Sequence, residues 1–128
     1  MENGTYTQIS GNGGENPVWR KKKSAGPALP LSTDEIISRL SRSDREKLVA
    51  GYDMRALAKI FENAEILRTV GTFLDNGMNV SKTARILYMH RNTLIYKLNA
   101  IKRQTGLDLK DFDMALTFTI LHSIYVTR

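Results

Sequence analysis

The chain has 128 residues, 41% of them hydrophobic, and a formal net charge of +6, which suits one small core with or without a tail. It contains no cysteine, which excludes a disulfide framework, a thiolate metal site and a cysteine nucleophile, and fits a reducing, cytoplasmic setting. No apolar run approaches the ~20 residues that span a bilayer, and the N-terminus lacks the apolar stretch of a secretory signal, so no membrane partner is expected.

Residues 1–30 are rich in Gly, Asn, Ser and Pro and show no apolar periodicity, which predicts a disordered, basic N-terminal arm. Its one pointed feature is Trp19 followed by Arg20, Lys21, Lys22 and Lys23. The run reads either as a grip on a nucleic-acid backbone with a stacking ring, or as a solvated charge run. The plainer reading is favoured, because short cationic runs are common.

Residues 31–62 read as short helices forming a support or dimerisation region. Ser32 with Glu35 makes a capping box, Leu31 can staple onto Ile36, and Ser43 with Glu46 gives a second start signal. Helices are expected near 33–41, 43–50 and 54–62, with Gly51 and Asp53 breaking the run. Ile36, Leu40, Leu48, Leu57, Ile60 and Phe61 supply apolar side chains. Asp34, Glu35, Asp44 and Glu46 fall in first helical turns, where carboxylates complement the helix dipole, and are read as structural. The next helix, from Asn63 to Asn76, carries Ile66, Leu67, Val70, Phe73 and Leu74 on one stripe before Gly77 stops it.

Asn79 to Gly106 is the stretch around which the rest is arranged. Val80 and Ser81 open a short helix with Ser81 as the expected N-cap. Ala84 and Leu87 point inward, Lys82 and Arg85 outward. A turn falls at Tyr88, Met89 and His90, and a longer helix runs from about Arg91 to Gly106, a residue suited to the left-handed position that ends helices. Two helices joined by a three- or four-residue turn, the second longer and basic, make a helix-turn-helix. At about 100° per residue, Leu94, Leu98 and Ile101 share one narrow stripe, opposite Asn92, Tyr96, Asn99 and Arg103. Any surface helix is amphipathic in this way. Charge adds the discrimination: residues 78–110 hold Lys82, Arg85, Arg91, Lys97, Lys102, Arg103 and Lys110 against the single acid Asp108. Double-stranded DNA is the expected partner for such a patch, although an acidic protein or membrane surface would also accept it.

A last helix is expected from about Asp111, with two apolar stripes. Phe112, Leu116, Ile120 and Ile124 form one; Met114, Phe118, Leu121 and Tyr125 form the other. A helix apolar on two sides is buried on two sides. Its second cover is expected from the 31–62 helices, a second subunit in a homodimer, or a sensor domain.

The run HRNTLIYKL from His90 to Leu98, preceded by NVSKTARILYM and followed by TGLDLKDFDMAL, resembles the C-terminal helix-turn-helix of PucR-type and sugar-diacid-regulator (CdaR-type) transcription factors. More distantly it is similar to the DNA-binding end of Fis-like proteins. The likeness runs from about Ile66 to Tyr125. His90, Arg91, Asn92, Thr93, Tyr96 and Leu98 match the family pattern, while Lys97 stands where that pattern usually has Arg. The resemblance implies the DNA-binding module of a bacterial-type transcription regulator, within an all-α fold: a three-helix body with flanking helices, spanning 63–128.

Site roles follow from the helix-turn-helix placement. Arg91 and Asn92 are assigned to base edges, since Arg pairs with guanine and Asn with adenine; helix-start hydrogen bonding is the alternative for Asn92. Ser81, Lys82, Thr93, Tyr96 and Lys97 are assigned to phosphates, with packing on a neighbouring helix as the alternative for Tyr96. Arg103 extends the outer cationic face. His90 either touches a phosphate or caps the second helix, Ile95 is either a core-edge residue, the favoured reading, or a contact to a thymine methyl, and His122 lies at the surface or an interface. Two isolated histidines make no metal site. No nucleotide or nucleophile motif is present, so no enzyme activity, cofactor or small-molecule site is expected. The competing reading is a helical protein–protein adaptor that uses the basic face and the doubly apolar C-terminal helix.

Overall fold

A computed structural model describes residues 31–127; the expected basic arm with Trp19 lies outside the described residues. Seven helices and no strand occur among them: α1 (Thr33–Ser38), α2 (Arg42–Val49), α3 (Met54–Phe61), α4 (Ala64–Asp75), α5 (Val80–Ile86), α6 (Arg91–Thr105) and α7 (Phe112–Thr127). The fold is all-α, as expected.

Most helix starts are set by one polar side chain that satisfies an orphan backbone N–H. Ser32 and Glu35 form the expected capping box on α1, which ends at Ser38 rather than 41. On α2 the cap is Ser41, whose hydroxyl accepts from the Asp44 N–H at 3.0 Å; the Ser43–Glu46 signal is already inside the helix. Asp53 caps α3, and Asn63 Oδ1 caps α4 by accepting from the Ile66 N–H at 3.1 Å. For α5 the cap is Asn79, not Ser81. Asn79 has extended backbone (φ −92°, ψ 112°) and its Oδ1 accepts from the Lys82 N–H at 2.8 Å. Ser81 is already helical, so its hydroxyl cannot reach an orphan N–H and is released for another use.

The core joins α3, α4, α5, α6 and α7. Phe73 of α4 and Leu94 and Leu98 of α6 are fully buried, with Val70, Ala84 and Ile101 around them. Leu87, expected inward, is only half-buried. Leu57, Ile60 and Phe61 of α3 enter the same cluster, so α3 packs on both α4 and α6. Phe61 is an aromatic hub towards α7: its ring lies 5.3 Å from Phe118 and 5.1 Å from His122, both edge-on, and 5.4 Å from Tyr125. His122 is thus half-buried against Phe61 rather than at an open surface.

Both stripes of α7 find some cover within the chain. Phe118 and Leu121 face the core. Towards the C-terminal end, α1 and α2 close over the other side: Ile37 and Ile124 are buried, the Ser123 hydroxyl donates to the Asp34 carboxylate, and the Arg45 guanidinium donates to the carbonyls of Leu40 and Thr127. At the N-terminal end the second stripe stays open, with Phe112 67% and Leu116 42% exposed.

Two Schellman closures aim α5 and α6. In the first, the Met78 N–H donates to the Phe73 carbonyl at 2.9 Å, with Gly77 left-handed at φ 68°. In the second, the Met89 N–H donates to the Ala84 carbonyl at 2.9 Å and the Tyr88 N–H to Arg85 at 3.2 Å. Both methionines then pack on the core, the hydrophobic contact that accompanies this closure. The left-handed position of the second closure is filled by Tyr88, at φ 55° and 97% exposed. A non-glycine residue there costs ~1–2 kcal/mol, offset on substitution by the greater freedom glycine gives the unfolded chain. With no burial to lose, Tyr88→Gly should leave stability within ~1 kcal/mol of wild type or raise it slightly. A thermal melt checks this; a clearly lower midpoint would show that the ring itself stabilises the turn.

Candidate nucleic-acid interface

Because Leu94, Leu98 and Ile101 are sunk in the core, the opposite face of α6 is turned outward along its whole length. Its first turn is built by three neighbours. His90 is the N-cap, its Nδ1 accepting from the Asn92 N–H at 3.2 Å. Of the two roles read for His90, the cap is the one seen. Arg91 is exposed, and its Nε donates to the Ser81 hydroxyl at 3.2 Å. Ser81 therefore ties α5 to the head of α6 instead of capping its own helix. Asn92 gives its backbone N–H to the cap and leaves its side-chain amide exposed. Thr93 and Lys82 are exposed beside them, and Lys97 and Ile95 are half-buried, the latter as a core-edge residue.

Further along α6, Tyr96 is 65% exposed, so it does not pack on a neighbouring helix. It carries the Arg103 guanidinium over its ring, 5.5 Å from the centroid. Such a cation–π contact fixes the direction of a cation that would otherwise swing freely. Lys102 faces Asp108, its Nζ 3.7 Å from the carboxylate. Lys110, in the α6–α7 loop, donates from Nζ to Asn99 Oδ1 at 3.0 Å. That last pairing was missed by the sequence reading, which saw Lys110 only as charge and Asn99 only as a member of the outer face.

Ser81, Lys82, His90, Arg91, Asn92 and Thr93 thus converge around the α5–α6 turn, while Tyr96 and Arg103 continue the same surface along α6. Among the described residues no group of three or more His, Asp or Glu side chains is placed to hold a metal ion, and no helix is long and apolar enough to cross a membrane. A groove of about 750 Å³ does lie between α2, α3 and the end of α7, floored by Val49, Met54, Ala58, Ile124 and Tyr125. Several of its polar groups are engaged: Arg45 on backbone carbonyls, Glu62 by the Tyr125 hydroxyl, and Arg42 with Glu46 at 3.6 Å. None of its lining residues belongs to α5 or α6.

A family model for the PucR C-terminal helix-turn-helix domain matches residues 66–121, from inside α4 to inside α7. The chain is similar to the carbohydrate diacid regulator of Escherichia coli (strain K12), 32% identical over 85 residues that make up 66% of this chain and 21% of that protein. It is likewise similar to the purine catabolism regulatory protein of Bacillus subtilis (strain 168), 32% identical over 77 residues, 60% of this chain and 14% of that protein. The proline-responsive transcriptional activator PutR of the same organism is 36% identical over 50 residues, 39% of this chain and 12% of that protein. The chain spans about a fifth or less of the length of these relatives. With most of α4, the Tyr88 turn and all of α6 inside the matched stretch, residues 66–121 are similar to the PucR C-terminal helix-turn-helix domain, and the likeness to transcription regulators supports a part in DNA-binding regulation.

Proposed function

We propose that this domain binds double-stranded DNA sequence-specifically, lays α6 in the major groove and serves transcription regulation in the cytoplasm. The observation that carries the reading is the first turn of α6: exposed Arg91 and Asn92, with Arg91 tethered by its Nε to Ser81 at 3.2 Å. An arginine held at that nitrogen keeps both terminal NH₂ groups for the O6 and N7 of a guanine, and the free Asn92 amide matches an adenine edge. Ser81, Lys82, Thr93 and Lys97 flank that turn and serve phosphates, with His90 shaping the helix end between them. The relatives named as regulators support the regulatory setting.

Polarisation titrations on duplex DNA over a salt series test the reading. If four to six phosphates are neutralised per subunit, log K falls against log salt with a slope of roughly −4 to −5. Absent binding at low salt, or binding indifferent to salt, would sink it in favour of an adaptor role.

The reading includes a homodimer. Phe112 and Leu116, exposed at the head of α7, support pairing through that edge, with half-sites about one helical turn, ~34 Å, apart. Sedimentation should then show dimer at high micromolar concentration, and a monomer throughout would remove pairing from the proposal.

A further inference from the structure

The connection from α6 to α7 is fixed on more points than a surface loop requires. Leu107 and Leu109 are buried, the latter fully, so the backbone on either side of Asp108 is pinned to the core. Asp108 Oδ1 accepts from the Lys110 N–H at 3.0 Å, while its other oxygen faces Lys102. The Lys110 ammonium then donates to Asn99 Oδ1 at 3.0 Å. One lysine is thereby held at its backbone and again at the tip of its side chain.

The place where it is held matters. Asn99 follows Asn92 by two helical turns on the same outer face, about 10 Å along the axis. With Asn92 at base edges, a point that far along the helix meets the wall of a groove about 12 Å wide, where the phosphates stand. The two lysines near the end of α6 are not equivalent there. Lys102 faces a carboxylate that offsets its charge, whereas the partner of Lys110 is a neutral amide. After donating to Asn99, the Lys110 ammonium retains two N–H groups and its full charge. Asn99, with its carbonyl oxygen engaged, is poorly placed for the bidentate contact an asparagine makes to adenine.

We propose that Lys110 is a preorganised anchor for a DNA backbone phosphate and that Asn99 is the positioning residue that holds it there. The inference rests on the DNA-binding reading above. It adds a residue from outside the helix pair to the interface, one whose side-chain freedom is already restricted before DNA arrives.

The test uses the full chain and a labelled random-sequence duplex, titrated by polarisation over a salt series, with thermal melts as a fold control. Lys110→Gln should weaken binding several-fold at low salt and flatten the slope by about one unit, with an unchanged melt. Lys110→Arg should keep the wild-type slope. Asn99→Ala should weaken binding less, and adding Lys110→Gln to it should cost less than Lys110→Gln alone, since the two act as one unit. A Lys110→Gln slope equal to wild type would overturn the anchor while leaving DNA binding standing. Additive losses would overturn the positioning role of Asn99. Wild-type protein that fails to bind at any salt would remove the underlying reading and the anchor with it.

Discussion

Phe61→Ala should lower the stability of the domain by about 3–5 kcal/mol, the range for a buried aromatic whose removal leaves a cavity. Phe61 is 5% exposed and lies against Phe118, His122 and Tyr125. Its loss takes away edge-to-face packing as well as buried area, at the point where α3 meets α7. A small domain has only ~5–15 kcal/mol in total, so the variant should unfold at a much lower urea midpoint. It should also bind DNA weakly at the temperatures where the wild type is folded. A loss under ~1 kcal/mol would mean that α3 is dispensable and that α5 and α6 stand on α4 and α7 alone. The stretch matched by the family model begins after α3, which makes this the informative place to cut: the core of this chain extends beyond the residues that the model matches.

That extension shows what the sequence discloses and what it withholds. The boundaries of α6 were legible because both ends carry local chemistry: a turn ahead of Arg91 and Gly106, left-handed at φ 81°, behind Thr105. The Leu94, Leu98 and Ile101 stripe was legible for the same reason, a period that points one way. Leu57, Ile60 and Phe61 also have a clear period, but periodicity says that a face is buried and not what buries it. Their place against α6 and α7 therefore needed the tertiary structure. Caps failed where two candidates stood close together. Asn79 and Ser81 both suit a helix start, and the choice fell to the backbone, which leaves the Gly77–Met78 turn extended at Asn79 and helical from Val80. Ser41 over Ser43 is the same case. The sequence marks the residues of the candidate site one by one but not the contacts between them. Arg91 on Ser81 crosses the inter-helix turn, and Lys110 on Asn99 crosses the end of α6, with partners ten and eleven residues apart. In each pair a helix end lies between the partners, so no periodicity within one helix marks the contact.

The coupling at Arg91 sharpens the expected result of removing it. Arg91→Ala should cost roughly 1–3 kcal/mol on a duplex that carries the preferred site, the value of one bidentate base contact, and little on random DNA. Asn92→Ala should behave the same way. Its side chain takes no part in the His90 cap, which uses only its backbone N–H, so the helix start should survive the change. Lys97→Ala should instead weaken both duplexes by a similar factor and flatten the salt slope by about one unit, because a phosphate contact is blind to sequence. Ser81→Ala separates orientation from contact. It leaves Arg91 in place but removes the hydroxyl that accepts from its Nε, so it should give a smaller loss than Arg91→Ala, with discrimination between the two duplexes reduced. The measurement is a pair of titrations per variant, preferred and random duplex, at two salt concentrations, beside a thermal melt. Should Asn92→Ala weaken both duplexes equally or melt the protein, Asn92 is structural and base reading passes to Arg91 and its neighbours. Should Arg91→Ala do the same, the head of α6 grips backbone rather than bases, and the sequence-specific part of the reading falls while the DNA-binding part remains.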